Sequence, residues 1–574
     1  MARTVTPKVA ALIERGAQLA RAGEFLEAAR SFERALQQMP ELAEVQAMRA
    51  DALMRAERLE PALACAERAL RLRPGWGEAL MLRGTIEALL ERYPAAEASF
   101  RQALQASGPS PSLHANLGNV LFEQERFAEA LEAYDQALRG NQAVELLIRR
   151  AKTLYALGRR DQATQAWEAV LEREPASLEA MEQLLLLYMG ARRMDDIAAL
   201  CARGVALAPQ DPAFRIAEGW LAAWGGDDEA SLEKYRQAAA LAPKGDKLHH
   251  EAVTSEAMGL FQLHRWQEGW ARYLWRHDRD LLREAYPLLA RDPGAIASAA
   301  APLRIRVHFE QGLGDELFFL RFAPLVRARG HRLSYRTAPK LIALLEGQAD
   351  LFDRLVPGTE EDPQPCDVEL QTSDLALASG AGVAPPLPLV PEAARRGAML
   401  ERLRAFGPPP YVGVTWRAGL LPEEQVKFRD VPVWLKRAPA EELGRLLRAV
   451  QATVVILQRK PDPQELERFR GALGREALDA SDTNDDLREA LALLSLLDEY
   501  IGVSNTNMHL LAGLAGRRAR VLLQNPPEWR WEKAGNSSVW FPGFELYRAS
   551  QQSLWDEALH KLAQDLGNSL KNKN

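Results

Sequence analysis

Residues 303–316 read Leu-Arg-Ile-Arg-Val-His-Phe-Glu-Gln-Gly-Leu-Gly-Asp-Glu, and the chain changes character there. Positions 303–309 alternate apolar and polar residues as a strand does, while 317–329 carries apolar residues at helical spacing. The glycines therefore fall on a strand-to-helix turn. Such a turn aims free backbone N–H groups at whatever sits above the helix start, and Gly312 and Gly314 let a ligand approach the main chain. The plain alternative is a tight turn that needs positive φ.

Downstream, the same alternation continues. Short β-branched or apolar runs at 332–337, 354–357 and 367–370 alternate with a helix at 338–346. The proline-rich stretch 385–391 and a helix ending at Phe406-Gly407-Pro408-Pro409-Pro410 separate this from a second region. That region has strands at 411–416, 453–458, 499–504 and 518–524, with helices at 440–450 and 509–515. The pattern predicts two lobes with mostly parallel sheets, and ligands of such sheets bind outside the carboxyl ends of the strands.

Upstream, the chain is helical and periodic. Ala28, Ala62, Ala96 and Ala130 stand 34 residues apart, as do Phe32, Ala66, Phe100 and Tyr134, and Gly16, Ala50, Gly84 and Gly118. Small residues at these places let two antiparallel helices approach, and an aromatic fills the gap. Pro40 and Pro74 close the first two units, and Pro175, Pro209 and Pro243 resume the spacing. Ala163 and Trp167 hold the small and aromatic places of the fifth unit, Ile197 and Cys201 those of a degenerate sixth, and Gly219, Tyr235 and Ala238 mark the seventh. These are seven copies of a pattern that resembles the tetratricopeptide repeat. A stacked array presents a groove for an extended peptide or partner protein. Arg15, Arg49, Arg83 and Asn116 recur on its inner helices, which suits either an acidic or main-chain ligand or simple solvated charge. After the repeats, Trp266, Trp270 and Tyr273 lie at i, i+4 and i+7, an aromatic stripe expected to cap the array and dock it on the next domain. Residues 288–302, rich in Ala, Pro and Gly, read as a linker.

The fold class is thus α plus α/β, with a repeat array at 1–245, an aromatic helical cap at 246–287, one α/β lobe at 303–384 and a second at 392–574. A length of 574 residues, 47% apolar and 26% charged, fits several soluble globular domains. A net charge of −6 does not favour nucleic acid or acidic membrane as the main partner. Cys65, Cys201 and Cys366 form no disulfide framework or metal-binding pair, the first residues lack the apolar core of a secretory signal, and no apolar run is long enough to span a membrane. A cytoplasmic location is expected. No metal-ligand set is visible among the dispersed histidines, so no metal and no cofactor is expected.

Repeats, then Gly269-Trp270-x-x-Tyr273-x-Trp275-Arg276, then Gln311-Gly312-Leu313-Gly314-Asp315, then a polar turn with His509, together resemble bacterial tetratricopeptide-repeat glycosyltransferases of the two-lobed GT-B fold. The catalytic half is similar to heptosyltransferases and the layout to O-linked N-acetylglucosamine transferases. The resemblance spans nearly the whole chain. It implies an inverting, metal-independent transfer from a nucleotide sugar held by the second lobe to an acceptor entering from the first, and a protein acceptor recruited by the repeats.

Asp315 falls at the place of the family's general base, beside the acceptor-side turn Gln311, Gly312 and Gly314; the alternative for Asp315 is a helix N-cap. Arg417, Lys427 and Arg429 stand where the family sets cations toward the donor diphosphate. Ser504, Asn505, Thr506, Asn507 and His509 supply hydroxyl, amide and imidazole groups for the donor. The sequence departs from the family at Ser504, where an aspartate is usual, and in having one leucine more in Leu510-Leu511-Ala512-Gly513. Packing accounts for most of the aromatic segments 526–531 and 537–543, with Trp529 and Arg530 as further candidates to line the crevice. Two other readings stay open: an adaptor with a degenerate transferase half, and transfer to a lipid-linked saccharide. Assembly into homo-oligomers is also left open.

Overall fold

The computed structural model describes residues 5–310, 312–346, 348, 351–419, 436–525, 527–550 and 555–571. The chain forms two compact units, Met1–Arg193 and Met194–Asn574. The division falls inside the sixth repeat as read from spacing.

The first unit is a run of antiparallel helix pairs, beginning with Pro7–Arg21 and Phe25–Gln38 and continuing through Leu178–Ala191. Its period has a direct steric cause. A Cβ placed on Gly16 would lie 2.6 Å from the Phe32 ring, on Gly84 2.8 Å from Phe100, and on Gly118 2.8 Å from Tyr134. Each glycine thus receives the aromatic sixteen residues later in its own pair. Where the second pair has Ala66 instead of an aromatic, the facing residue is Ala50, and both are fully buried. Two of the three recurrent arginines are spent within the repeats: Arg49 bonds Glu33 at 2.5 Å, and Arg83 bonds Ser99 at 2.9 Å and Gln102 at 3.3 Å, while Arg15 is exposed. These contacts lie inside the array, which favours the solvated-charge reading over a basic groove.

The second unit opens with helices of the same kind, and the steric rule persists: a Cβ on Gly219 would lie 2.6 Å from Tyr235. Helices Lys247–Gln262 and Trp266–Tyr273 form the cap. It docks through Trp270, whose indole donates to Gly382 O at 2.9 Å and whose ring lies 5.9 Å from Phe319 and 5.9 Å from Trp540. The 288–302 segment is no free linker. Leu289 pairs with Glu369 at the sheet edge, Pro293–Ser298 forms a 3-10 helix, and His331 is within hydrogen-bonding distance of Ile296 O.

The first sheet holds β1 Arg304–His308, β2 Arg332–Thr337, β3 Arg354–Pro357 and β4 Val368–Gln371, in the order β3-β2-β1-β4. The second holds β5 Tyr411–Val414, β6 Thr453–Ile456, β7 Leu478–Asp479, β8 Glu499–Val503, β9 Arg520–Leu523 and β10 Glu545–Arg548, in the order β10-β9-β8-β5-β6-β7. All described pairings between these strands are parallel. Numbered from its own first strand, the second sheet is doubly wound 3-2-1-4-5-6, which puts its switch point between β5 and β8. The first reverses between β1 and β4. One apolar cluster runs through both lobes and the cap, from Phe261 and Val307 through Phe318 to Met508 and Trp540. The proline-rich connection joins this packing, since Leu387 and Leu389 are buried and Leu389 N bonds Gly513 O at 2.9 Å.

Candidate functional site

The two motifs that the sequence separates by some 190 residues meet in space. Gly314 lies in helix Leu313–Phe319 after β1, and His509 in helix Thr506–Ala512 after β8. A Cβ on Gly314 would stand 3.4 Å from His509 Cδ2 and 3.5 Å from Thr506 Oγ1, which is ordinary contact. Neither Gly312 nor Gly314 has positive φ, and a Cβ on Gly312 would meet nothing within 4 Å. The turn therefore needs glycine neither for strain nor for close protein packing.

Asp315 is not the N-cap, a place that Gly312 takes. Its carboxylate accepts from Arg530 Nη2 at 2.6 Å, while Arg530 also lies 3.8 Å from Glu528 and over the Phe318 ring at 4.4 Å. The neighbouring Glu316 turns inward to Tyr335 and Thr337, and burial raises its pKa. His509 is 9% exposed, and its Nδ1 is buried with no partner. Burial first, then Arg530 and Arg321, hold its pKa well below the usual imidazole range, so the ring is neutral near pH 7. Arg321 donates to the carbonyl oxygens of Phe318, Ala384 and Trp540; burial, then Arg530, lowers its pKa to about 9.

Ser504 and Asn505 take up different tasks. Ser504 Oγ donates to Glu528 Oε1 at 2.6 Å, and the opposite oxygen of Glu528 pairs with Lys436 at 2.8 Å. Burial works to raise the Glu528 pKa, but Lys436 and Arg530 keep it well below the carboxylate range. Thus Glu528, supplied by the loop after β9, places a carboxylate against Ser504. Asn505 Nδ2 donates to Thr415 Oγ1 at 2.9 Å, joining the ends of β8 and β5 across the switch point. Gly502 makes room for that hydroxyl, because a Cβ there would lie 2.2 Å from it. Asn507 is buried on the same helix as Thr506.

Arg417 is not brought to this cluster. Its guanidinium bonds Glu465 at 3.2 Å, Gly419 O at 3.0 Å and Lys460 O at 2.9 Å, so its donors serve the loop after β5. Glu465 in turn lines a cleft of about 420 Å³ with Arg437, Ala440, Arg445, Gln524 and Trp555. Gln311, Lys427 and Arg429 lie outside the described residues. Sequence reasoning missed Lys436, Glu528, Arg321 and Thr415. The signal for Thr415 was its place directly after a buried strand; Lys436 and Glu528 lie in loops, which carried none, and Arg321 sits in the 3-10 helix Leu320–Phe322 among apolar residues.

The switch point of the first sheet is filled by the protein itself. Arg276, from the cap, bonds Glu310 after β1 at 2.5 Å and also Gln371 and Ser373 after β4. Burial works against Arg276, but Glu310 raises its pKa overall, while burial raises that of Glu310 despite Arg276; both are side chains at most 5% exposed. The second sheet's switch point, with Asn505, Thr415 and Ser504, is where side chains of several elements converge. Among the described residues no group of three or more metal-ligating side chains is found, and no helix is long and apolar enough to cross a membrane.

Comparisons place the chain beside known repeats. A Tetratricopeptide repeat family model matches residues 47–111, 90–145 and 148–212. Protein FlbA of Caulobacter vibrioides is 25% identical, over a match covering 45% of this chain and 46% of its own length, so the chain spans about half of that relative. Among solved structures, YrrB, described as a TPR protein with an unusual peptide-binding site, is 23% identical with a TM-score of 0.27, covering 40% of this chain and 98% of its own. MamA 41-end from Desulfovibrio magneticus is 16% identical with a TM-score of 0.29, covering 30% of this chain and 99% of its own. The N-terminal region therefore carries tetratricopeptide repeats, followed by a C-terminal part built on small parallel sheets.

Proposed function

We propose that the chain is a glycosyltransferase with a GT-B-like second half, which moves a sugar from a nucleotide-sugar donor to a protein acceptor recruited by the repeats. The observation that carries this is the approach of the helix after β1 to the helix after β8, with Gly314 against His509 and the adjacent Asp315 held by Arg530. In this reading the donor's diphosphate lies beside His509 and Arg530. Asp315 takes the proton from an acceptor hydroxyl as that oxygen forms a bond to the anomeric carbon, and the nucleoside diphosphate leaves with the electron pair of the broken bond. The repeats suit a protein-interaction role in either case.

The reading is tested by screening the purified chain for binding, hydrolysis and transfer over a nucleotide-sugar panel, with Asp315→Ala and His509→Ala alongside. Turnover that falls at least about a hundredfold in Asp315→Ala supports it. Tight donor binding with no turnover under any acceptor condition would leave the adaptor reading instead. That rival has its own support, because Asp315 is held by Arg530 and Ser504 stands in the usual aspartate's place.

A further inference from the structure

The ion pair between Asp315 and Arg530 leaves the guanidinium only partly used. Arg530 is 7% exposed, its Nη2 holds Asp315, and its Nε is buried with no partner. Nε and Nη2 form one edge of the guanidinium fork, the edge that grips a phosphate with two parallel hydrogen bonds. Asp315 already occupies Nη2, so a phosphate on this edge competes with its carboxylate for that nitrogen. Cations outnumber carboxylates there: Arg530 pairs with Asp315 and Lys436 with Glu528, while Arg321 donates only to backbone carbonyls, and Nδ1 of His509 is unpartnered. His509 and Arg530 both pack against Phe318, with the imidazole 6.1 Å and the guanidinium carbon 4.4 Å from its ring centre.

We propose that Arg530 is a phosphate-responsive latch: it holds the Asp315 carboxylate until a diphosphate takes its Nε–Nη2 edge, and so releases Asp315 to act on the acceptor only once the donor is in place. The proposal rests on the reading of this junction as a donor site. It couples order of binding to chemistry through the exchange of one ion pair. Asp315, at 37% side-chain exposure, is the partner with access to solvent and so the one able to leave.

The test uses inorganic pyrophosphate as the probe and calorimetry on the full chain. If the carboxylate competes for Arg530, Asp315→Asn binds pyrophosphate about tenfold tighter than the wild type. Arg530→Gln binds it at least about tenfold more weakly, and Arg530→Gln with Asp315→Asn matches Arg530→Gln alone. Arg530→Lys keeps the charge without the fork and should fall between; it stands in if the glutamine variant does not fold. The proposal is overturned if Asp315→Asn binds no tighter than wild type, if its gain survives in the Arg530→Gln background, or if neither wild type nor Asp315→Asn binds at all. Absence of sugar transfer in the panel assay, with this pattern of binding intact, refutes the transferase and leaves only the exchange of Asp315 for phosphate at Arg530.

Discussion

Gly314→Ala separates a functional glycine from a structural one. The added methyl would sit 3.4 Å from His509 Cδ2, 3.5 Å from Thr506 Oγ1 and 3.6 Å from His509 Nε2, none of them a clash. The residue lies in helix Leu313–Phe319 with ordinary φ, so alanine there loses less backbone entropy on folding. The expected change in stability runs from zero to about 1 kcal/mol in favour of the variant. Thermal unfolding followed by circular dichroism should show a melting temperature equal to wild type or raised by at most about 2 °C. Yet the methyl occupies the space between the Asp315 turn and the His509 edge where reacting groups must meet. Transfer or donor hydrolysis should then drop at least about tenfold, a loss of about 1.4 kcal/mol of transition-state binding. Wild-type turnover in a stable Gly314→Ala variant would refute the placement of the site at this junction. A destabilised variant would refute the packing from which the magnitude was worked.

Gly118→Ala is the converse case, because its methyl would lie 2.8 Å from the buried Tyr134 ring; a loss of about 1–3 kcal/mol in the first unit is expected, read as a lowered urea midpoint. The pH dependence of the second unit should carry the mark of His308, which is 2% exposed, packs 4.0 Å from Tyr286 and has its pKa lowered from 6.5 to about 4, mainly by burial. Its folded value lies below the unfolded one, so the unfolded chain binds the extra proton between these pH values. The contribution of His308 is full above about pH 6.5 and falls as pH drops toward 4, and His308→Gln should make the melting-temperature profile less steep over that window, with His277 and His509 accounting for slope that remains.

The repeats were legible because they rest on local sterics. A glycine or alanine facing the residue sixteen places on, within one helix pair, leaves a 34-residue rhythm that needs no knowledge of the rest of the chain. The parallel strands were legible for a related reason: β5, β8 and β9 are buried throughout their length and so read as short apolar runs between helices. The division between compact units and the packing of 288–302 were not, since small residues and prolines have the same appearance in a linker and in a segment pressed against a sheet edge.

Sequence alone thus determined the two kinds of architecture and put Gly314, Asp315 and His509 at the ends of strands. Only the tertiary structure decided what those ends do. Arg417 holds its own loop, Arg276 fills the first switch point, Glu528 meets Ser504, and Arg530 reaches Asp315 from 215 residues away. Backbone elements repeat by rules of local geometry, whereas the partner of a long charged side chain is set by which loops the core brings together, and loops carry no period from which that pairing can be read.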